Sequence, residues 1–262
     1  MGDIAEYSKE IIYSSVNLKK SFPNFDLLDE SQRKLASFCL FYLQDANHKM
    51  AHTIVSRFYA LAINCDTNED NEDENEQKQI DSQKDFFIAC KAVAAFFTLW
   101  RSALPNAGLD NIYRSLLQEK MSFKQGDSQV ETINLKKYFR GVLENKAIGT
   151  KDEWKSKASQ GLRYNNVQKI CKFVLFITSN DTIPDPDRPG LMKIAKSNTS
   201  LSYLEPDKWN SEDFKSIEHI APRQPDLQSD AHWDEALYEN DDYEQIGNLT
   251  LLPTPIIRVF FS

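Results

Sequence analysis

Glycine is scarce in this chain, with 8 among 262 residues, and runs that alternate apolar and polar residues are rare. Both shortages lean the composition away from strands and toward helices. The four cysteines, Cys39, Cys65, Cys90 and Cys171, are widely separated and form no CxxC pair. That argues against a zinc knuckle and against a disulfide framework. Three of them lie in apolar stretches and read as buried thiols of a reducing cytoplasm. No GxxxxGK[ST] phosphate loop occurs. Met1 to Glu10 carries acids and lacks an apolar segment, so no secretory signal is expected there. The longest apolar stretches, such as Phe86 to Leu99, contain polar or charged residues and fall short of a membrane span. The expectation is a soluble, cytoplasmic protein with no membrane partner.

What is present fits a globular chain. Hydrophobic residues make up 41% and charged residues 27%, and 16 Phe, 10 Tyr and 4 Trp supply bulk for a core. The net charge of −8 is unevenly spread. From Lys120 to Lys172 there are twelve Lys or Arg against five Asp or Glu, whereas from Glu205 to Glu244 there are three against thirteen. The average hides a basic segment able to meet phosphates, although solvated helix faces would carry the same charges.

The hydrophobic pattern predicts a helix over Ser31 to Ile63, with Leu35, Phe38, Cys39, Tyr42 and Leu43 on one face and Asp29 and Ser31 as caps. Seven acids between Asp66 and Glu76, with no Lys or Arg among them, predict a loop over about residues 64–80. The Gly-centred spacing of a calcium loop is missing there. Ser82 to Ser102 is dense in Phe, Ala, Val and Trp, as a core helix would be. Leu109 to Lys120, Ile133 to Leu143 and Asn165 to Thr178 also read as helical. Three prolines between Asp181 and Pro189 end that pattern. After about Tyr203, Phe214 to His219 and Leu249 to Leu252 are β-compatible runs. The expected organisation is a helical domain over 1–203 and a small ββ unit within 204–262.

Two short strings near the C-terminus concentrate the chemistry: Ser216-Ile217-Glu218-His219-Ile220-Ala221-Pro222 and Ile246-Gly247-Asn248-Leu249-Thr250-Leu251-Leu252. Adjacent residues of a strand project to opposite sides, so Glu218 and His219 would flank a shared site at a strand end. A carboxylate is a hard oxygen ligand for Mg²⁺ or Mn²⁺. An imidazole takes a proton from water near neutral pH. Phosphodiester cleavage needs both functions side by side. A lone Glu-His pair is common in proteins and says little by itself. Its pairing with the second string is the distinctive feature.

Together the strings resemble the HNH core of the C-terminal half of GmrSD-type restriction enzymes, which attack modified phage DNA. They are also similar to the HNH module of RNA-guided CRISPR nucleases, where an acidic-His-Ile-x-Pro string precedes an Asn-x-x-Leu-Thr string. Leu99-Trp100-Arg101, Asn111-Ile112-Tyr113-Arg114 and Tyr203-Leu204-Glu205-Pro206-Asp207-Lys208-Trp209 resemble the family's helical domain leading into the nuclease. The resemblance implies a mainly α fold: a multi-helix domain followed by a small, incomplete ββα-metal (HNH) module. It implies a metal-dependent DNA endonuclease of a type IV-like anti-phage restriction system. His219 would be the general base, Glu218 a ligand of Mg²⁺ or Mn²⁺, and Asn248 the residue that orders the loop around His219. Pro222 would end the first strand. The family continues with a further Asn and a closing helix, whereas this chain carries Ile257 and ends at Ser262. Its nucleotide-hydrolysing half carries an Asp-Gly-Gln-Gln-Arg-type string that does not occur here, so that half is expected either in a separate partner subunit or to have been lost. A catalytically silent module binding such a partner is the alternative reading.

Other residues need weighing. Lys136, Lys137, Arg140, Lys155, Lys157 and Arg163 are the expected phosphate-backbone contacts. Trp154 and Tyr164 would either stack on bases or pack in the core. His48 and His52, four apart, could chelate a metal on a helix, although a helix-surface or partner-facing role suits the spacing as well. His232 beside Trp233 could approach a phosphate or cap a local turn.

Overall fold

A computed structural model describes residues 25, 27, 29–63, 72–120, 131–180, 182–188, 192–194, 204–214, 216–224 and 233–252. The chain is mainly α and divides into two compact units. One unit holds residues 1–100 and 106–154, and the other holds 101–105 and 155–262.

In the first unit, α1 (Glu30–Asp45) starts at Asp29, whose carboxylate accepts the Gln32 N–H at 2.8 Å and the Ser31 hydroxyl at 2.6 Å. Those bonds hold the Asp29 carboxyl below the usual carboxylate range, the Ser31 hydroxyl contributing most. The single helix expected over Ser31 to Ile63 is two helices. α1 stops where Asn47 adopts φ 56°, a left-handed conformation that asparagine tolerates, and the His48 and Asn47 amides bond back to Leu43 and Gln44. The chain then restarts as α2 (Met50–Ile63).

The third helix, α3 (Glu72–Ala103), is longer than expected. Of the acidic run read as a loop, 64–71 lies outside the described residues and 72–80 forms the first turns of α3. Exposed glutamates and aspartates there keep to water and also favour the positive N-terminal end of a helix dipole. Phe86, Ala89, Cys90, Val93, Ala94, Phe97 and Trp100 are buried, as their density predicts. The Tyr42 hydroxyl meets Thr98 Oγ1 at 3.0 Å inside this core. By length and composition α3 is apolar enough to cross a membrane, contrary to the sequence expectation, but 61% of its apolar window is buried within the protein, as in a core helix. Cys39 and Cys90 are buried and free, and burial pushes the Cys39 thiol up to about 12. Cys65 lies outside the described residues. α4 (Asp110–Ser115), extended by a wide turn over Leu116–Lys120, and α5 (Thr132–Asn145) are further described helices of this unit, with the Phe96 and Phe139 rings stacked at 4.1 Å.

The second unit takes in most of α6 (Lys151–Gly161), a helix too polar to show a clear apolar period in the sequence. Gly161 ends it against residue 102, where an added Cβ would collide with the Ser102 carbonyl oxygen. α7 (Tyr164–Asn180) follows with a kink at Val167 (φ −141°, ψ 55°). On either side of Pro186 and Pro189, β1 (Thr182–Pro184) pairs antiparallel with β2 (Met192–Ile194), a hairpin that the sequence pattern does not announce. α8 (Pro206–Asn210) seats Trp209, 2% exposed, against Phe176 at 5.1 Å, and the Lys172 ammonium donates to the Trp209 carbonyl at 2.8 Å while lying over its ring. Last come β3 (Ser216–His219), the short helix α9 (Ala236–Glu239) and β4 (Leu249–Leu252).

Candidate active site at the end of the C-terminal hairpin

β3 and β4 pair antiparallel with His219 opposite Leu249 and Glu218 opposite Thr250. The register brings the end of the first string beside the start of the second. Residues directly opposite share a face and neighbours alternate, so His219 lies on the face of buried Leu249 while Glu218 lies on the other.

Asn248 joins the two strings. Its carbonyl oxygen accepts the Ala221 N–H at 2.7 Å, and its amide group donates to the Ala221 carbonyl at 3.0 Å and to the Tyr243 carbonyl at 2.8 Å. Its own backbone carbonyl accepts the Ile220 N–H at 2.8 Å. The loop leaving His219 is thereby clamped to the turn that enters β4. Ala221, wholly buried, sits under this clamp, and the Tyr238 hydroxyl donates to the Pro222 carbonyl at 2.9 Å.

His219 is held from several sides. Its Nε2 lies 3.4 Å from Glu244 Oε2, a long hydrogen bond. The imidazole packs edge-on against Tyr164 at 5.6 Å, with Tyr243 at 6.1 Å. Glu244 was absent from the expected site, yet it is the hub. Its side chain is 4% exposed, Oε2 also accepts the Asn165 N–H at 3.1 Å, and Oε1 receives Arg223 Nε at 2.9 Å. Three donors to one buried carboxylate satisfy most of its lone pairs, and that satisfaction makes burial of the charge tolerable. Glu244 lies in an acidic run with Asp241 and Asp242, which local charge alone reads as solvated. Burial first, then Asp241 and Glu244, raise the Tyr243 hydroxyl above its ordinary value. Burial, with Glu244 nearby, pushes the Cys171 thiol up to about 12.

Arg163, expected among the phosphate contacts, has another job. Its guanidinium donates to the Asn240 and Asp241 carbonyls at 2.7 and 3.0 Å and pairs with Asp242 at 2.8 Å. Only 18% of its side chain is exposed. It braces the loop that delivers Glu244. Tyr164, weighed as a stacking platform, is taken up by the His219 and Arg223 side chains. Trp154 in the first unit donates its indole N–H to the Leu99 carbonyl at 3.0 Å.

Lys136, Lys137 and Arg140 are exposed on α5, and Lys136 and Arg140 rim a cleft of about 530 Å³ floored by Phe96, Phe139 and Leu143. Lys155 is exposed and Lys157 half-buried on α6. His48 precedes α2 rather than lying on it, with Nε2 2.7 Å from the Tyr113 hydroxyl and its ring stacked on Phe97 at 4.0 Å, so it is a core residue and no partner of His52 in a chelate. Burial lowers His52 to about 4. His232 and Ile257 lie outside the described residues.

Among the described residues no three His, Cys, Asp or Glu side chains converge on a cation position. The Glu218 carboxylate makes no hydrogen bond or ion pair with a described residue. Such a carboxylate fits a Mg²⁺ ion that keeps its waters and shares phosphate oxygens, and it does not form a closed protein cage.

No curated protein matches the chain. Residues 172–256 do match a family model, so the segment that carries Glu218, His219, Glu244 and Asn248 is similar to the C-terminal domain of GmrSD restriction endonucleases.

Proposed function

We propose that the chain is the nuclease component of a type IV-like restriction system, an HNH-type, metal-dependent DNA endonuclease in which His219 is the general base. The observation that carries this reading is the pairing of His219 with buried Glu244. A carboxylate has no proton to give, so in the neutral imidazole the nitrogen facing Glu244 would carry the hydrogen and Nδ1 would be left as an acceptor. Nδ1 makes no hydrogen bond to a described residue.

In the reaction, Nδ1 takes a proton from water as the water oxygen bonds to phosphorus. The P–O bond to the leaving sugar oxygen breaks, and that oxygen picks up a proton from solvent. Glu218, on the opposite face of the strand end, would hold Mg²⁺ or Mn²⁺, whose chemistry is to neutralise charge developing on the phosphate. Lys136, Lys137, Arg140, Lys155 and Lys157 would add sequence-independent phosphate contacts.

The expected result is nicking of plasmid or modified phage DNA in Mg²⁺ or Mn²⁺, stopped by chelator and reduced at least about 10²-fold in His219→Ala. No cleavage in either metal by the folded chain would remove the catalytic claim. A second reading follows from the absence of a three-ligand cluster among the described residues: a silent module that binds a separate nucleotide-hydrolysing subunit. Binding of such a subunit without cleavage, alone or in the complex, would favour it.

A further inference from the structure

We propose that Glu244 is a two-sided positioning residue and that Arg223, which it anchors, is the phosphate-binding cation of this site. The proposal rests on the nuclease reading for its substrate class, a phosphodiester, and on independent geometry for the residues.

The carboxylate is bifunctional. Oε2 faces His219 Nε2 at 3.4 Å, and Oε1 receives Arg223 Nε at 2.9 Å. One buried group thus sets the orientation of an imidazole and of a guanidinium together. Glu244 is itself held by the Asn165 N–H and by the loop that Arg163 braces through Asn240, Asp241 and Asp242. It has little freedom to follow either partner.

Arg223 differs from an ordinary surface arginine. Its Nε is committed to Glu244, and its guanidinium carbon lies 5.8 Å from the centre of the Tyr164 ring, so the plane of the fork is fixed at two points. Its side chain is nevertheless 51% exposed, and the two Nη groups make no hydrogen bond with a described residue. A fixed fork with outward N–H groups is the arrangement that binds a phosphate through paired hydrogen bonds, which a lysine ammonium does not reproduce. Arg223 also shares Tyr164 and Glu244 with His219, so a phosphate held there lies beside the imidazole that activates water.

Two measurements on the full chain decide this. Long-range ¹H–¹⁵N correlations of the His219 ring should place its proton on Nε2 in the wild type. Glu244→Gln presents an amide that cannot accept from both partners, so the His219 proton should move at least partly to Nδ1 or the Arg223 Nε–H resonance should lose its hydrogen-bonded shift. Titration with inorganic phosphate should move the Arg223 side-chain resonance in the wild type and weaken in Glu244→Gln. A tautomer unchanged in Glu244→Gln, together with an Arg223 resonance indifferent to phosphate, would overturn the proposal. Both readouts need no cleavage, so an inactive chain would defeat the nuclease reading while leaving them decisive here. If the chain cuts DNA, Glu244→Gln should lower kcat on the order of 10²–10⁴-fold, as loss of the correct tautomer does elsewhere. Arg223→Lys should act mainly on KM and recover part of what Arg223→Ala loses. An Arg223→Ala enzyme with unchanged KM and kcat would also refute the proposal.

Discussion

Asn248 uses both ends of its amide, one accepting and two donating, to tie Ala221 and Tyr243 together. Replacing it with alanine leaves the Ala221 N–H and two carbonyls without those partners in a part-buried loop, which costs about 2–3 kcal/mol. Urea unfolding of Asn248→Ala should show that loss, and Asn248→Asp should lose at least as much, because the carboxylate would face two carbonyl oxygens. The resemblance of the two strings to the GmrSD nuclease core implied that Asn248 orders the loop, a role suited to an amide, which carries both donors and acceptors. Glu244 and Arg223 were not legible. Their partners come from Asn165, His219 and one another across separate stretches of chain, and nothing in the local text separates Glu244 from the solvated acids around it. Arg163 was grouped with the phosphate contacts for the same reason: it falls in a segment rich in Lys and Arg, and the acidic loop it braces lies some 80 residues on.

At the scale of single elements, ends decided more than middles. Asp29 caps α1 through the Gln32 N–H and the Ser31 hydroxyl. Asp29→Ala should destabilise the first unit by about 1 kcal/mol in denaturant unfolding. The folded carboxyl titrates below its unfolded value, so the cap contributes stability fully above the unfolded pKa near ~3.9 and loses it as pH falls through the lower folded pKa. The wild type should therefore approach Asp29→Ala in stability only at strongly acid pH. Gly161 is a second sensitive end: Gly161→Ala drives a methyl into the Ser102 carbonyl and should cost about 1–3 kcal/mol, read as a lowered Tm. The α1–α2 break at Asn47 and the start of α3 within the acidic run were hidden, because apolar periodicity runs through a short turn unbroken and charge density alone does not distinguish a loop from an exposed helical turn.

For the molecule as a whole, net charge −8 coexists with cations on α5 and α6. Any DNA affinity should rest on those local charges, because a phosphate feels the nearest cations more than the distant average. Neutralising Lys136, Lys137 and Arg140 to glutamine should make the dependence of log K on log salt shallower by up to about 0.9 for each cation that meets a phosphate, measured by fluorescence anisotropy with a duplex. An unchanged slope would take α5 out of the interface.

By itself the sequence determined the helical character, the core face of α3, and the two strings that pair as β3 and β4. These follow from side-chain type and short-range periodicity, which are properties of neighbours along the chain. Only the tertiary structure decided that His48 is a core residue, that Arg163 is a brace and that Glu244 is a buried hub, because each depends on which distant groups exclude water from it and supply its hydrogen bonds.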